Sequence, residues 1–436
     1  VTKDNSPGFP ARRLAAEAFR RVLAERRSIE EALQLSRIPR LDAQMSASDH
    51  ALARAIVTVA FRRLGTIRAA LRARLSDGRL PDAGVLEGAI VTGAAQVLFM
   101  EAADHAAVDL AVEAMKSDPR ALHYAGLGNA VLRRIASEKA AILAGAEPLA
   151  DAPEWLLRRW RAHYGAAAAE AIARAHGAPP HVDLTFLREP VEGTEAIPGT
   201  LLPNGSLRLS GDDAVSSLPG YEDGVFQVQD VAASLPARLI EAKPGMKIYD
   251  LCAAPGGKTA QLAARGAEVI AVERSAERAK RLTENMARLG LTTELVIADA
   301  GAFVGPPADA VLLDAPCSAT GTIRRHPEVA WTKTLRDVLA LAGQQQRLLD
   351  QAATLVKPGG VLVFSTCSLE CEEGERQIEA FLARTPAFRL APVGLEIAGI
   401  PAECFTPDGY LRVLPSHFAA YGGADGFFSA RLQRAV

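Results

Sequence analysis

One stretch limits the folds open to this chain more than any other: Met246 to Thr259, M-K-I-Y-D-L-C-A-A-P-G-G-K-T. It begins as a short apolar run ending in Asp250, breaks at Pro255-Gly256-Gly257 and restarts with helical spacing through Leu262. A buried parallel strand feeding a glycine turn and then a helix N-terminus is how open α/β sheets cradle a nucleotide. Glycine lets the ligand approach the backbone, and unpaired N–H groups face it. The stretch therefore predicts a cofactor at this turn, against the plainer alternative of an ordinary strand-to-helix connection.

Two nucleotide readings of the loop are separable residue by residue. Gly257-Lys258-Thr259 copies the end of a phosphate-binding P-loop, but that motif needs glycine five positions before Gly257, where Cys252 stands. The dinucleotide fingerprint G-x-G-x-x-G is also missing, although the acid expected about 20 residues on is present as Glu273, closing Val269-Ile270-Ala271-Val272. A carboxylate there suits ribose hydroxyls without requiring a pyrophosphate. The remaining candidate is an adenosine ligand lacking phosphates, such as S-adenosylmethionine.

Beyond the loop, strand and helix patterns alternate. A helix is expected from Ala276 to Leu289, strands at Glu294 to Ala298 and Ala310 to Leu313, a long helix from Leu335 to Leu355, and a strand at Val361 to Ser365 after the break Pro358-Gly359-Gly360. The strand ends carry Asp250, Glu273, Asp299 and Asp314, and the last carries Thr366-Cys367. Because open α/β sheets bind ligands at the carboxyl ends of their strands, these side chains are expected to converge.

The front of the chain reads differently. Residues 10 to 140 have helical spacing in Ala11 to Leu33, Asp49 to Arg74, Leu86 to Phe99 and Ala106 to Lys116, with a last helix after Gly126 ending in Arg133-Arg134. Residues 1 to 140 hold 21 Lys/Arg against 16 Asp/Glu, while the remainder holds 28 against 35. A modestly basic front is compatible with nucleic acid and equally with a solvated helix face. An Ala/Pro/Glu-rich linker follows at Ala144 to Pro153. Next come a helix from Trp155 to His176, whose aromatics read as core, short strands from Val182 to Leu218, and the stretch Gly224 to Asp230 leading into a helix through Leu239. The expected division is 1–143, 144–235 and 236–436.

Composition is that of a globular protein, 49% hydrophobic and 23% charged. The polar run Val1 to Arg13 lacks the apolar core of a signal peptide, and the most apolar segment, Val85 to Met100, contains Glu87 and is too short to span a bilayer. Cysteines at 252, 317, 367, 371 and 404 make an odd set without paired metal spacing, since C-x3-C at Cys367 and Cys371 alone is a poor zinc site. A reduced, cytoplasmic, metal-free monomer away from membranes is expected, in which a cysteine of interest acts as a thiol.

Two cysteines stand at strand ends, in Asp314-Ala315-Pro316-Cys317-Ser318 and Ser365-Thr366-Cys367-Ser368. Carbon 5 of a pyrimidine is too poor a nucleophile to attack a methyl sulfonium directly. A thiolate adding to carbon 6 makes it an enamine that can take the methyl, after which a base removes the carbon 5 proton and the thiol leaves. Asp314 could hydrogen-bond ring N3 and stabilise the adduct. Two small buried hydrophobes would explain either cysteine alone, but the pair beside an acid much less well.

These residues carry a resemblance. Arg54-Ala55-Ile56-Val57, Arg62 to Ile67, Asp104 to Val108 and Gly128 to Arg134 resemble a NusB-like RNA-binding helical domain, in which His105 is either an RNA contact or a helix-start or core histidine. D-L-C-A-A-P-G-G-K-T at 250–259, D-A-P-C-S-A-T-G-T-I-R-R-H-P at 314–327 and S-T-C-S-L-E-C-E-E-G-E at 365–375 resemble the Nol1/Nop2/Sun family of RNA cytosine-5 methyltransferases. Gln229-Asp230 and Asp425 to Ala430 also match. The resemblance implies a Rossmann-like methyltransferase with a mostly parallel seven-stranded sheet, joined to the all-α front through a small α+β subdomain. It further implies that Cys252, Ala253, Ala254, Pro255, Gly256, Gly257, Lys258, Glu273, Asp299 and Asp314 hold S-adenosylmethionine, that Cys367 is the nucleophile, and that Cys317 assists its release. Small-subunit ribosomal RNA is the implied partner and 5-methylcytosine the implied product. A tRNA, another RNA or DNA as target, and a non-catalytic RNA-binding assembly factor, remain alternatives. The chain departs from the family in having Glu273 for the commoner aspartate and a poorly matching stretch at His181 to Arg188.

Overall fold

The computed structural model describes residues 7–43, 45–189, 191, 193–211, 214–394, 397 and 399–436, so residues 1–6 of the polar run at the start lie outside the described residues. Contacts divide the chain into two units, Val1–Ala178 with Ile323–Lys333, and Pro179–Thr322 with Thr334–Val436. No helix of the described residues is long and apolar enough to cross a membrane.

The first unit is all helix. The expected helix from Ala11 to Leu33 is two, Phe9–Glu25 and Ile29–Leu35. Arg26 turns left-handed at φ 56°, and Ser28 with Glu31 forms a reciprocal capping box that starts a new helix. Asp49 to Arg74 is likewise split at Arg63 into Ala47–Arg62 and Leu64–Arg72. Apolar spacing runs on through both breaks, which is why the pattern alone concealed them. Leu86–Phe99 is buried on nearly every side and forms the centre of the bundle. It crosses Phe9–Glu25 so closely that a Cβ at Gly88 would lie 2.1 Å from the Ala16 carbonyl oxygen. Asp104–Lys116 and Ala125–Ser137 complete the core. His105, the second residue of its helix, is exposed and so is no core histidine. Trp155 to His176 is broken at Gly165, φ 84°. Trp160 is buried edge-on against His176, as the core reading expects, while Trp155 and Tyr164 are half-buried.

The same unit takes in Ile323–Lys333, which begins with the last five residues of the second motif that carries the methyltransferase resemblance. Trp331 Nε1 donates to the Phe61 carbonyl at 3.0 Å, Arg62 donates to the Arg324 carbonyl at 2.9 Å, and Arg26 Nε donates to the Thr332 carbonyl at 2.8 Å. Glu328, 3% exposed, caps Ile29 N–H at 3.3 Å while its second oxygen has no hydrogen-bond partner. Burial raises this carboxyl from 4.5 to about 7. Between those values only the folded form keeps the proton, so the unit loses stability as pH rises through that window and stays at the lower level above it. Glu328→Gln should abolish the loss, stabilising the unit at pH 8 by on the order of 3 kcal/mol and far less at pH 5. Urea unfolding followed by tryptophan fluorescence reads this unit, because all three tryptophans lie in it. An equal gain at both pH values would assign the effect to packing instead.

The second unit contains two sheets. The smaller pairs β1 (Asp183–Phe186), β2 (Gly199–Leu201), β3 (Leu207–Leu209) and β4 (Phe226–Val228) antiparallel in the order β2-β3-β1-β4. The poorly matching stretch at His181 to Arg188 thus supplies a central strand. It is held by a buried two-pronged pair, Arg208 Nε to Asp183 Oδ1 at 2.7 Å and Nη2 to Oδ2 at 2.8 Å. The helix expected before Leu239 is instead two 3-10 turns, Ala232–Ser234 and Pro236–Leu239, because Pro236 supplies no N–H to continue a helical ladder.

The larger sheet comprises β5 (Lys247–Leu251), β6 (Glu268–Glu273), β7 (Glu294–Ile297), β8 (Ala308–Asp314), β9 (Val356–Thr366), β10 (Phe388–Leu390), β11 (Leu411–Val413) and β12 (Phe427–Arg434). Its path is β10-β12-β9-β8-β5-β6-β7, with the short β11 added alongside β12. The seven strands expected are this path, and β11 is an eighth. Strands β5 to β9 are parallel and the last three antiparallel, a Rossmann-like arrangement. Order reverses at β5, whose neighbours are β6 and β8, so the crevice at its carboxyl end is the expected ligand position. The break at Pro358-Gly359-Gly360 is a bulge inside β9 rather than its start: Ala308 pairs with Val356 but Ala310 with Val361, and Gly359 has φ 72°.

Candidate active site

The turn after β5 is tightly built. Cys252 has φ 63° and Gly256 φ 101°, and the helix Gly257–Ala263 follows. Ala253 N–H returns to the Val272 carbonyl at 3.1 Å, tying the turn to β6. Arg278 and Asn285 donate to the Ala254 and Pro255 carbonyls at 2.5 and 2.9 Å. Gln227 donates to the Gly257 carbonyl at 2.8 Å and Gln229 to Gln261 Oε1 at 3.0 Å, so the small sheet braces the turn. Asp230 accepts the Asp425 N–H at 3.1 Å, which brings together two segments far apart in sequence.

Around this turn the strand-end acids take different roles. Asp250, buried, accepts the Thr259 hydroxyl at 2.6 Å, and its carboxyl rises to about 7, first through burial and then through Asp314. Thr259 is wholly buried in that bond, so the residue that mimics a P-loop is committed to the sheet. Glu273, also buried, accepts the Ser275 N–H on one oxygen at 2.9 Å; the other has no hydrogen-bond partner, with Arg278 3.5 Å away. Asp314 pairs with Lys258 Nζ at 2.7 Å and accepts the Ser365 hydroxyl at 2.9 Å. Lys258 Nζ also lies 4.9 Å from the centre of the Phe427 ring. Burial, followed by the charges of Asp314, Glu273 and Asp250, pushes the Cys252 thiol up to about 12. Those three acids therefore gather at one place. Asp299 is exposed at the rim and accepts the N–H of Gly301 in its own loop at 2.8 Å.

Buried carboxylate oxygens without donors are costly unless something else supplies the hydrogen. Asp250 and Glu273 each present one such oxygen, at adjacent strand ends. Hydroxyl or ammonium groups of a bound molecule fit them, and a triphosphate does not.

Next to this crevice, β8 and β9 run side by side with Asp314 opposite Ser365. Cys317 Sγ and Cys367 Sγ come within 3.3 Å, the two loops being bound by Gly321 N–H to the Cys367 carbonyl at 2.9 Å. The Cys317 thiol is held well above the usual thiol range by its hydrogen bond with Cys367, by burial and by the charges of Cys367 and Glu373. Behind both loops lies Glu373, fully buried, a residue to which sequence reasoning attached no role. It sits in the motif at 365–375 that carries the methyltransferase resemblance, six residues after Cys367, and that placement is the signal that could have found it. Among the described residues, the one group of ligating side chains close enough to share a metal ion is Glu30, His326 and Glu328 in the helical unit; Cys367 and Cys371 form no such group.

Residues 237–433 match the family model described as 16S rRNA methyltransferase RsmB/F, and residues 10–137 match that of the NusB family. A ribosomal RNA small subunit methyltransferase B of Xylella fastidiosa is 35% identical over 98% of both chains. The chain belongs to this methyltransferase B family. The protein of that name from Pseudomonas syringae is 38% identical over 80% of this chain and 81% of its own. Among solved structures, PH0851 is similar over 98% of this chain and 99% of its own, with TM-score 0.74 and 25% identity. A methyltransferase homologue from Pyrococcus horikoshii covers 64% of this chain with 93% of its own, at TM-score 0.54 and 26% identity. Membership of the family accounts for a NusB-type helical front and a Rossmann-like sheet in one chain. It also makes the protein a ribosomal RNA methyltransferase.

Proposed function

We propose that this protein transfers a methyl group from S-adenosylmethionine to carbon 5 of a cytosine in small-subunit ribosomal RNA, through a covalent bond between Cys367 and carbon 6. The observation that carries this reading is the 3.3 Å approach of Cys317 and Cys367 beside Asp314 and the β5 turn. S-adenosylmethionine, when bound, supplies an electrophilic methyl group. Cys252 to Lys258 and the acids Asp250, Glu273, Asp299 and Asp314 would hold it, with the Glu273 oxygen that accepts no hydrogen bond taking a ribose hydroxyl.

Cys367 adds to carbon 6, and the displaced π electrons make carbon 5 nucleophilic. Asp314, its orientation set by Lys258 and Ser365, hydrogen-bonds N3 of the adduct. After methylation a solvent base takes the carbon 5 proton, and that electron pair re-forms the carbon 5–carbon 6 double bond as the carbon–sulfur bond breaks, its pair leaving with Cys367 as a thiolate that accepts a hydrogen bond from the Cys317 thiol. The reading includes a division into a helical RNA-binding part (1–143), a connecting part (144–235) and a catalytic part (236–436), in a cytoplasmic monomer.

Bisulfite mapping of small-subunit ribosomal RNA from cells with and without the gene tests the reaction, one cytosine losing protection in the deletion. Loss confined to a tRNA would redirect the substrate. Glu273→Ala should weaken S-adenosylmethionine binding in calorimetry by about 1.5–3 kcal/mol, roughly 10- to 100-fold. Unchanged affinity would remove Glu273 from the cofactor site.

A further inference from the structure

Glu373 receives hydrogen bonds from both cysteine loops and from a helix. Ser318 N–H, immediately after Cys317, donates to Oε1 at 2.9 Å, and the Ser318 hydroxyl donates to Oε2. The Ser368 hydroxyl, immediately after Cys367, donates to Oε2 at 2.6 Å. Gln345, from the helix Leu335–Thr354, donates to Oε1 at 3.0 Å. The Glu373 carbonyl also accepts the Thr366 hydroxyl at 3.0 Å, immediately before Cys367.

The Ser318 and Ser368 hydroxyls also lie 3.2 Å from each other, and Ser368 lies 3.3 Å from the Thr320 hydroxyl. The Gln345 amide is oriented by a second donation, to the Pro316 carbonyl at 2.9 Å. Ser368 Oγ accepts the Glu370 N–H at 3.0 Å. Two of the four groups, the Ser318 N–H and the Gln345 amide, can only donate and both meet Oε1, while the two hydroxyls meet Oε2, so the surroundings favour an ionised carboxylate. Burial works against that charge and raises the carboxyl above its usual value, and the hydrogen bonds work for it.

We propose that Glu373 is a positioning residue for the two-cysteine chemistry: its carboxylate staples the Cys317 loop to the Cys367 loop and, by its charge, keeps the proton on Cys317. The same buried charge adds to the hydrogen bond with Cys367 and to burial in raising the Cys317 thiol. The catalytic half of this inference rests on the reaction proposed above, whereas the thiol chemistry can be read without RNA.

The test uses the full chain and three variants, Glu373→Gln, Glu373→Asp and Glu373→Ala. The rate of iodoacetamide labelling at Cys317 and Cys367 is followed by mass spectrometry from pH 6 to 10. In Glu373→Gln, which keeps size and loses charge, the Cys317 profile should move to lower pH and its labelling at pH 8 rise at least about tenfold. Glu373→Asp, which keeps the charge on a shorter arm, should leave the profile in place. Single-turnover methyl transfer should fall by about 100-fold in Glu373→Gln and Glu373→Ala, the scale of a misplacement near 1 Å, with S-adenosylmethionine affinity unchanged. A purely structural carboxylate would be rescued by Gln and leave the Cys317 profile where it is, and that result overturns the proposal. Should Glu373→Gln fail to fold, a shifted Cys317 profile in Glu373→Asp would overturn it equally. If wild type forms no adduct with RNA containing 5-fluorocytosine, the reaction is at fault, and the labelling profiles still decide the role of Glu373.

Discussion

Cys367→Ala should give no methylated RNA and no protein–RNA adduct, because no thiolate reaches carbon 6, whereas Cys317→Ala should transfer the methyl once and stay crosslinked to methylated RNA. The readout is a denaturing gel with labelled cofactor. Activity of Cys367→Ala should fall to background, at least about three orders of magnitude, if Cys317 serves only as the proton carrier and does not attack in its place. The two thiols are 3.3 Å apart, so proximity alone does not choose between them. The proposed assignment is consistent with their surroundings: Cys317 stands in the field of the Glu373 carboxylate and bonds to Cys367, which suits a proton carrier better than an attacking thiolate. A stable adduct in Cys367→Ala, absent in Cys317→Ala, would reverse the assignment. Absence of an adduct from wild type with a 5-fluorocytosine substrate would argue against thiolate catalysis altogether.

Gly321→Ala should reduce turnover by about 100-fold or more without touching any reacting atom. Gly321 N–H donates to the Cys367 carbonyl at 2.9 Å, and its own carbonyl accepts the Gly426 N–H at 2.8 Å. A Cβ here would fall 2.2 Å from the Gly426 carbonyl oxygen and 2.8 Å from that of Cys367. All of these are backbone atoms, so relief requires moving the chain that carries Cys367. Stopped-flow adduct formation should slow in proportion to turnover, while S-adenosylmethionine affinity, which depends on the β5 turn, stays at the wild-type value. Normal turnover in Gly321→Ala would mean that the Cys367 loop tolerates displacement, and with it that the close approach of the two sulfurs is not needed for the reaction.

Much of the catalytic half was legible because its signals are local. Strand, turn and helix around Asp250 to Leu262 follow from apolar runs and glycines next to one another in the chain, and the helix Ala276–Leu289 begins at a serine cap and ends at Gly290. Helix breaks at Arg26, Arg63 and Gly165 were not legible, since the apolar spacing continues on both sides and only capping and packing stop the ladder there. The bulge in β9 was read as a strand boundary because Pro358-Gly359-Gly360 serves either purpose, and only pairing with β8 distinguishes them.

The sequence by itself determined which chemistry was available: a phosphate-free nucleotide turn, acids at strand ends and two cysteines each following a strand. Those depend on residue type and spacing along one segment. Only the tertiary structure decided which of these groups meet. It gathers Asp250, Glu273 and Asp314 around Cys252 and leaves Asp299 at the rim. It turns Thr259 inward onto Asp250, and it draws Ile323–Lys333 into the helical unit. It also places Glu373, to which no role was attached from the sequence, beneath both cysteine loops. The physical reason is that a buried carboxylate is tolerable only where several donors converge on it. For Glu373 those donors come from residues 318, 345 and 368, which only the fold brings together.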